Sequence, residues 1–149
     1  MRFMIIVKAT AYTEKGIPIA ESVKKHPEVF AAMATYHEDL AKAGALLDGS
    51  GLHPSSKGWR VMYSGNERTV IDGPFAEAKE LVAGYTLIQV KSREEAMEWV
   101  RRFPNPSIDG TKGEIEVRQL FELDEFGDSP TEGRWLETYR GLDRSRKID

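Results

Sequence analysis

Cysteine is absent from the 149-residue chain. That excludes disulfides, thiolate metal sites and cysteine nucleophiles, and it fits a reducing compartment. Histidine is scarce: His26, His37 and His53 are the whole set, and none is spaced with a second ligand type in a recognised pattern. No metal site is therefore expected. Dinucleotide fingerprints, Gly-rich phosphate loops and the Gly-x-Ser-x-Gly elbow are all missing, so nucleotide and serine-hydrolase readings have no support and no cofactor is expected. Positive charge is in slight deficit, with 21 Lys plus Arg against 24 Asp plus Glu and a net charge of −3. That balance argues against nucleic acid as a partner, which needs a basic surface. Long apolar runs are also lacking. Phe3 to Val7 is too short for a signal-peptide core or a membrane span. A cytoplasmic protein with no membrane partner is the expectation.

What is present reads as one domain that buries roughly two-thirds of its unfolded surface. Residues 2–9 alternate as a first strand, with Arg2, Met4, Ile6 and Lys8 on one side and Phe3, Ile5, Val7 and Ala9 on the other. Residues 10–26 read as a long loop with room for a short helical turn, the kind that serves as a lid or binding loop. A helix is predicted over 27–44, entered at Pro27 and left at Gly44. Its stripe is Phe30, Met33, Ala34, His37, Leu40, Ala41 and Gly44. A short strand follows at 45–49. Gly65-Asn66 then joins Trp59–Ser64 to Glu67–Asp72 as a hairpin with a tight primed turn. A strong strand is predicted at 82–91. A second helix starts at Ser92, with Glu95 completing a capping box. Its stripe is Ala96, Trp99, Val100 and Phe103, and Pro104 ends it. A last strand covers 114–123. In the polar tail, 124–149, Trp135, Leu136, Tyr139 and Leu142 line one face of a short helix that needs a surface to dock on.

The order is β-α-β, hairpin, β-α-β. It predicts an α+β fold of ferredoxin-like plan, an antiparallel sheet with two helices on one face and the hairpin extending it. Both faces of the first strand are largely apolar, as Met4 and Ile6 lie opposite Phe3, Ile5 and Val7. A sheet apolar on both faces needs a second cover. A second copy supplies it most simply, giving a homodimer whose facing sheets enclose a cavity for a small-molecule ligand.

Asp72-Gly73-Pro74-Phe75-Ala76-Glu77-Ala78-Lys79-Glu80 is the most distinctive segment. Asp-Gly-Pro turns the chain sharply, and three charges then crowd beside Phe75. Two readings stand: a polar or acid/base cluster at a cavity mouth, and a turn followed by a solvated charged stretch. His37 is a general base or ligand donor on one reading and a satisfied, partly buried histidine on the other. Arg118 shares a side of the last strand with Glu116. It either grips a carboxylate or phosphate or pairs with an acid such as Glu77, Glu80 or Asp72. The candidate set is thus His37, Asp72 and Glu77 for catalysis, with Lys79, Glu80 and Arg118 for ligand binding. Whether the chain is an enzyme at all stays open at this level.

Val70 to Glu80, then Gly84-Tyr85, Glu95-Ala96, Trp99, Pro104 and Glu114 to Arg118, resemble the DGPF proteins of the YCII-related family over residues 1–123. The resemblance implies a ferredoxin-like domain that forms a dimeric α+β barrel, and it leaves the 124–149 tail outside. YCII-like relatives imply an enzyme with a His–Asp pair, although His37 departs from the spacing expected of it. Some DGPF proteins resemble partners encoded beside sigma factors of the extracytoplasmic-function type. That implies a regulatory role with a sigma-factor-type protein partner.

Overall fold

A computed structural model describes residues 1–127 and 129–145. Along the chain run β1 (Arg2–Lys8), α1 (Ala11–Glu14), α2 (Ile19–Lys25), α3 (Pro27–Lys42), β2 (Leu46–Gly51), β3 (Trp59–Ser64), β4 (Glu67–Asp72), β5 (Val82–Gln89), α4 (Arg93–Arg101), β6 (Ile115–Gln119) and α5 (Pro130–Ser145). The segment between β1 and α3 is more ordered than a loop. Thr10 caps α1 through a reciprocal pair of bonds with Thr13, a capping box with a hydroxyl where Glu or Gln is usual. Pro18 then opens α2.

β2, β5, β1 and β6 lie side by side in that order, each neighbouring pair antiparallel. This is the ferredoxin-like arrangement, an α+β fold in which the first strand sits in the interior of the sheet. The expectation that the hairpin extends this sheet is corrected: β3 and β4 pair with each other as a separate two-stranded sheet. Pro54 and the tight turn Ser55–Lys57 redirect the chain after β2. The hairpin residues match the expected spans, and Gly65 takes φ 58°, the left-handed first position that a two-residue hairpin turn demands.

The core lies between the sheet and α3 with α4. Phe3, Ile5, Ile88 and Val90 meet Tyr36, Leu40 and Ala96, and Ile5, Leu40 and Ile88 are fully buried. Each such side chain stabilises the fold by about 1.5–3 kcal/mol. The inward stripe of α3 is rotated from the expected one: Tyr36 and Leu40 are buried, Met33 and His37 half-buried, and Ala34 and Ala41 exposed. Tyr36 explains the rotation. Its hydroxyl donates at 2.9 Å to the Trp99 carbonyl, which also accepts the Arg102 amide in the last turn of α4. Its ring meets Phe103 and Trp99 edge-on at 5.0 and 6.2 Å. Burial pushes the phenol up to about 12, against a smaller opposing pull from Arg102.

Ser92 caps α4 by accepting from the Glu95 amide at 3.1 Å. The expected capping box is half formed, because the Glu95 carboxylate takes the Lys91 amide instead. Beyond β6, Phe126, Trp135 and Tyr139 stack in sequence at 6.0 and 5.4 Å, and the two α5 rings are exposed. Among the described residues no helix is long and apolar enough to cross a membrane.

Candidate functional site

His37 projects from α3 toward the sheet. Nδ1 lies 2.9 Å from the Met33 carbonyl oxygen, an acceptor only, so Nδ1 carries the proton. In the neutral ring Nε2 then accepts from the Thr86 hydroxyl at 2.8 Å. The residue opposite Thr86 on β2 is Gly49, and a Cβ there would stand 3.3 Å from Nε2. The ring is held in one tautomer, with both nitrogens occupied and little room on the β2 side. Thr86 is 2% exposed and points to the helix-covered face with Ile5 and Ile88. Replacing Thr86 with Val keeps its shape and leaves Nε2 without a donor. The expected cost is about 1–3 kcal/mol in urea unfolding, with His37→Leu in the same background recovering part of it.

The other face of the sheet has a different character. Register places Asp48, Leu87, Met4 and Arg118 in one row across the four strands, and Ser50, Tyr85, Ile6 and Glu116 in the next. Each row is apolar or aromatic in the middle and polar at its ends. No buried hydrophobic residue among those described lies on this face, where Met4, Ile6, Tyr85 and Leu87 are all partly exposed. The Tyr85 hydroxyl donates to Asp48 Oδ2 at 2.9 Å. Glu116 stands between two cations, with Lys8 Nζ at 3.8 Å and Arg118 Nη1 at 3.5 Å. Arg118 is 73% exposed, so this ion pair contributes at most about 1 kcal/mol and leaves most of the guanidinium open to an anion.

The Asp-Gly-Pro turn is built against the chain after β2. The Gly73 amide donates to the Gly58 carbonyl at 2.9 Å. The Phe75 amide donates to Ser55 Oγ at 3.0 Å, and Ser55 in turn gives both its amide and its hydroxyl to the Glu14 carboxylate. The Arg60 guanidinium lies over the Phe75 ring at 3.8 Å. This clasp joins α1, the Ser55 turn and the base of the hairpin. Asp72 before it and Glu77, Lys79 and Glu80 after it are exposed, and their side chains make no hydrogen bond or ion pair among the described residues.

The structure therefore does not gather the six candidate residues. His37 lies on the helix-covered face and Arg118 on the open one, so a single chamber on either face takes one of them. The acid beside Arg118 is Glu116, not Glu77, Glu80 or Asp72. Cavities lie elsewhere. One of 120 Å³ sits under α4, lined by Phe3, Arg93, Ala96, Met97, Val100 and Val117. A shallow groove of 340 Å³ runs along α5 past Arg134, Trp135 and Tyr139. Sequence reasoning missed Glu14, Asp48, Ser55, Tyr85 and Thr86. Thr86 had a visible signal: it is the one hydroxyl on the inward row of β5, matched to the one ionisable group on the predicted stripe of α3.

Four antiparallel strands, two helices on one face and a second face mixing apolar and charged groups define a ferredoxin-like α+β domain. The family model of the YCII-related domain matches residues 1–124 of this chain. An uncharacterized protein of Rhizobium meliloti (strain 1021) is 30% identical over 109 residues, covering 73% of this chain and 86% of that protein. The chain belongs to the YCII-related family, and α5 lies outside the matched span.

Proposed function

We propose that this protein is a small-molecule-binding domain whose site is completed when two copies pair by their open sheet faces. The observation that carries this reading is the row Asp48, Leu87, Met4, Arg118, with apolar side chains at the centre of an uncovered sheet and an exposed cation at its edge. Pairing removes Met4, Ile6 and Leu87 from water, and the chamber so formed has Arg118 and Lys8 to hold a carboxylate or phosphate. The Tyr85–Asp48 pair supplies a hydroxyl already bonded to a carboxylate, the arrangement an acid/base step without a bound cofactor requires. Asp72, Glu77, Lys79 and Glu80 stay outside this chamber in one chain and act, if at the site, from its rim.

The test is thermal-shift and calorimetric screening of small carboxylates and phosphates, wild type against Arg118→Gln. The expected result is a probe that raises the melting temperature of the wild type. Its affinity for Arg118→Gln should be roughly ten-fold or more weaker, since a charge-assisted bond is lost, with unliganded stability unchanged. Equal binding by both proteins overturns the assignment of Arg118.

A second reading has its own observation. Phe121 at 75% exposure, Phe126, Trp135 and Tyr139 form a run of exposed rings at the tail, an apolar patch of the kind that meets a protein partner. A non-catalytic regulatory module bound to a sigma-factor-type protein would use it. Under that reading Trp135→Ala abolishes co-purification of the partner while Arg118→Gln does not.

A further inference from the structure

A folded two-stranded sheet standing alone is marginally stable in water. β3 and β4 nonetheless form one, paired along their whole length from Trp59↔Asp72 to Ser64↔Glu67. Its ladder runs on through the Gly73–Gly58 bond, and the Ser55 clasp ties its base to Glu14 of α1. Alternation and register put Trp59, Val61 and Tyr63 of β3 on one face with Asp72, Val70 and Arg68 of β4. The Arg68 guanidinium lies 5.1 Å from the Tyr63 ring centroid, which confirms the shared face. This face is open to water: Trp59 is 66% exposed, Tyr63 68% and Val70 62%.

The pattern on that face is self-complementary. Its rows are Trp59 with Asp72, Val61 with Val70, and Tyr63 with Arg68. A two-fold axis lying between two such faces, perpendicular to the strands and over the valine row, maps the first row of one copy onto the third row of the other. Asp72 then meets Arg68 of the second copy, twice by symmetry, and Trp59 meets its Tyr63. The valines close on each other at the centre. Asp72 makes no hydrogen bond or ion pair among the described residues, which leaves its carboxylate open to this pairing. A heterologous partner has no reason to find acid and base at matching distances either side of a symmetric apolar row.

We propose that this face of the hairpin is a second self-association surface, distinct from the open face of the four-stranded sheet, and that its occupant is the same face of another copy. Two isologous surfaces on one chain link pairs into an assembly of more than two copies. The mixed charge supplies the selectivity, because a shift of one row sets Asp72 or Arg68 against Val70 and a shift of two rows sets Asp72 against Asp72 or Arg68 against Arg68.

Sedimentation velocity at micromolar concentration tests this, on wild type, Asp72→Arg, the charge exchange Asp72→Arg with Arg68→Asp, Trp59→Ser and Leu87→Arg. Circular dichroism and melting checks that each is folded. The proposal expects Asp72→Arg and Trp59→Ser each to halve the wild-type mass and the charge exchange to restore it. A wild-type mass that Asp72→Arg and Trp59→Ser leave unchanged overturns it, as does an exchange that restores nothing. Leu87→Arg separates the two surfaces. If it alone lowers the mass, the sheet pairing stands and the hairpin pairing falls. If only the hairpin variants lower it, the reverse holds.

Discussion

Gly73→Ala is expected to destabilise the fold by roughly 3 kcal/mol or more, beyond the usual range for a single substitution. A Cβ on Gly73 would lie 1.8 Å from the Ser55 carbonyl oxygen and 2.6 Å from its carbonyl carbon. Both are backbone atoms, so no side-chain rotation relieves the overlap. The chain after β2 has to move, and the bonds from Phe75 to Ser55 and from Ser55 to Glu14 go with it. Gly51→Ala is the control, with open space at its Cβ and no left-handed φ. Urea unfolding reads the difference. A Gly73→Ala protein within about 1 kcal/mol of wild type would show that the turn yields easily.

Leu40→Ala should cost about 2–5 kcal/mol by the same measurement. Leu40 is 0% exposed and packs in the cluster with Tyr36, Ile5 and Ile88. The cost is transfer of the lost carbons plus the cavity left, and the site has little means of collapse. On one side stand sheet residues fixed by the β1–β5 ladder. On the other, Tyr36 is tied to the Trp99 carbonyl. Ala41→Ser, one residue on and exposed, is expected to change stability by less than about 0.5 kcal/mol. That contrast checks the orientation of α3, since the stripe read from spacing alone includes both positions.

The elements were largely legible because each carries its own punctuation. Gly65-Asn66 marks the hairpin, Ser92 the start of α4, and Pro27 the start of α3. The order of elements was enough for the ferredoxin-like plan, and the Asp-Gly-Pro-Phe string for the family. What failed depended on contacts between distant segments. Tyr36 outcompetes Ala34 and Ala41 for the inward position because its ring packs on Phe103 and Trp99 and its hydroxyl reaches the Trp99 carbonyl. The separate hairpin sheet follows from the close approach of Gly73 to Ser55, which no local pattern announces. The six candidate residues share a chemistry but not a place, because topology puts His37 and Arg118 on opposite sides of one sheet. Lys8, Asp48, Tyr85 and Glu116 share the open face with Arg118 because of register, and register is set by pairs far apart in the chain.

β1 precedes both of its sheet neighbours in the chain. β1 is hydrogen-bonded on one edge to β5 and on the other to β6, so Ile5 has no finished surroundings until nearly the whole domain has left the ribosome. Such a chain cannot mature piecemeal from its amino end. An oily ribbon must wait, shielded by chaperones or by transient contacts, for its two neighbours to be synthesised. Truncation anywhere before β6 therefore yields an aggregation-prone fragment, not a smaller working module.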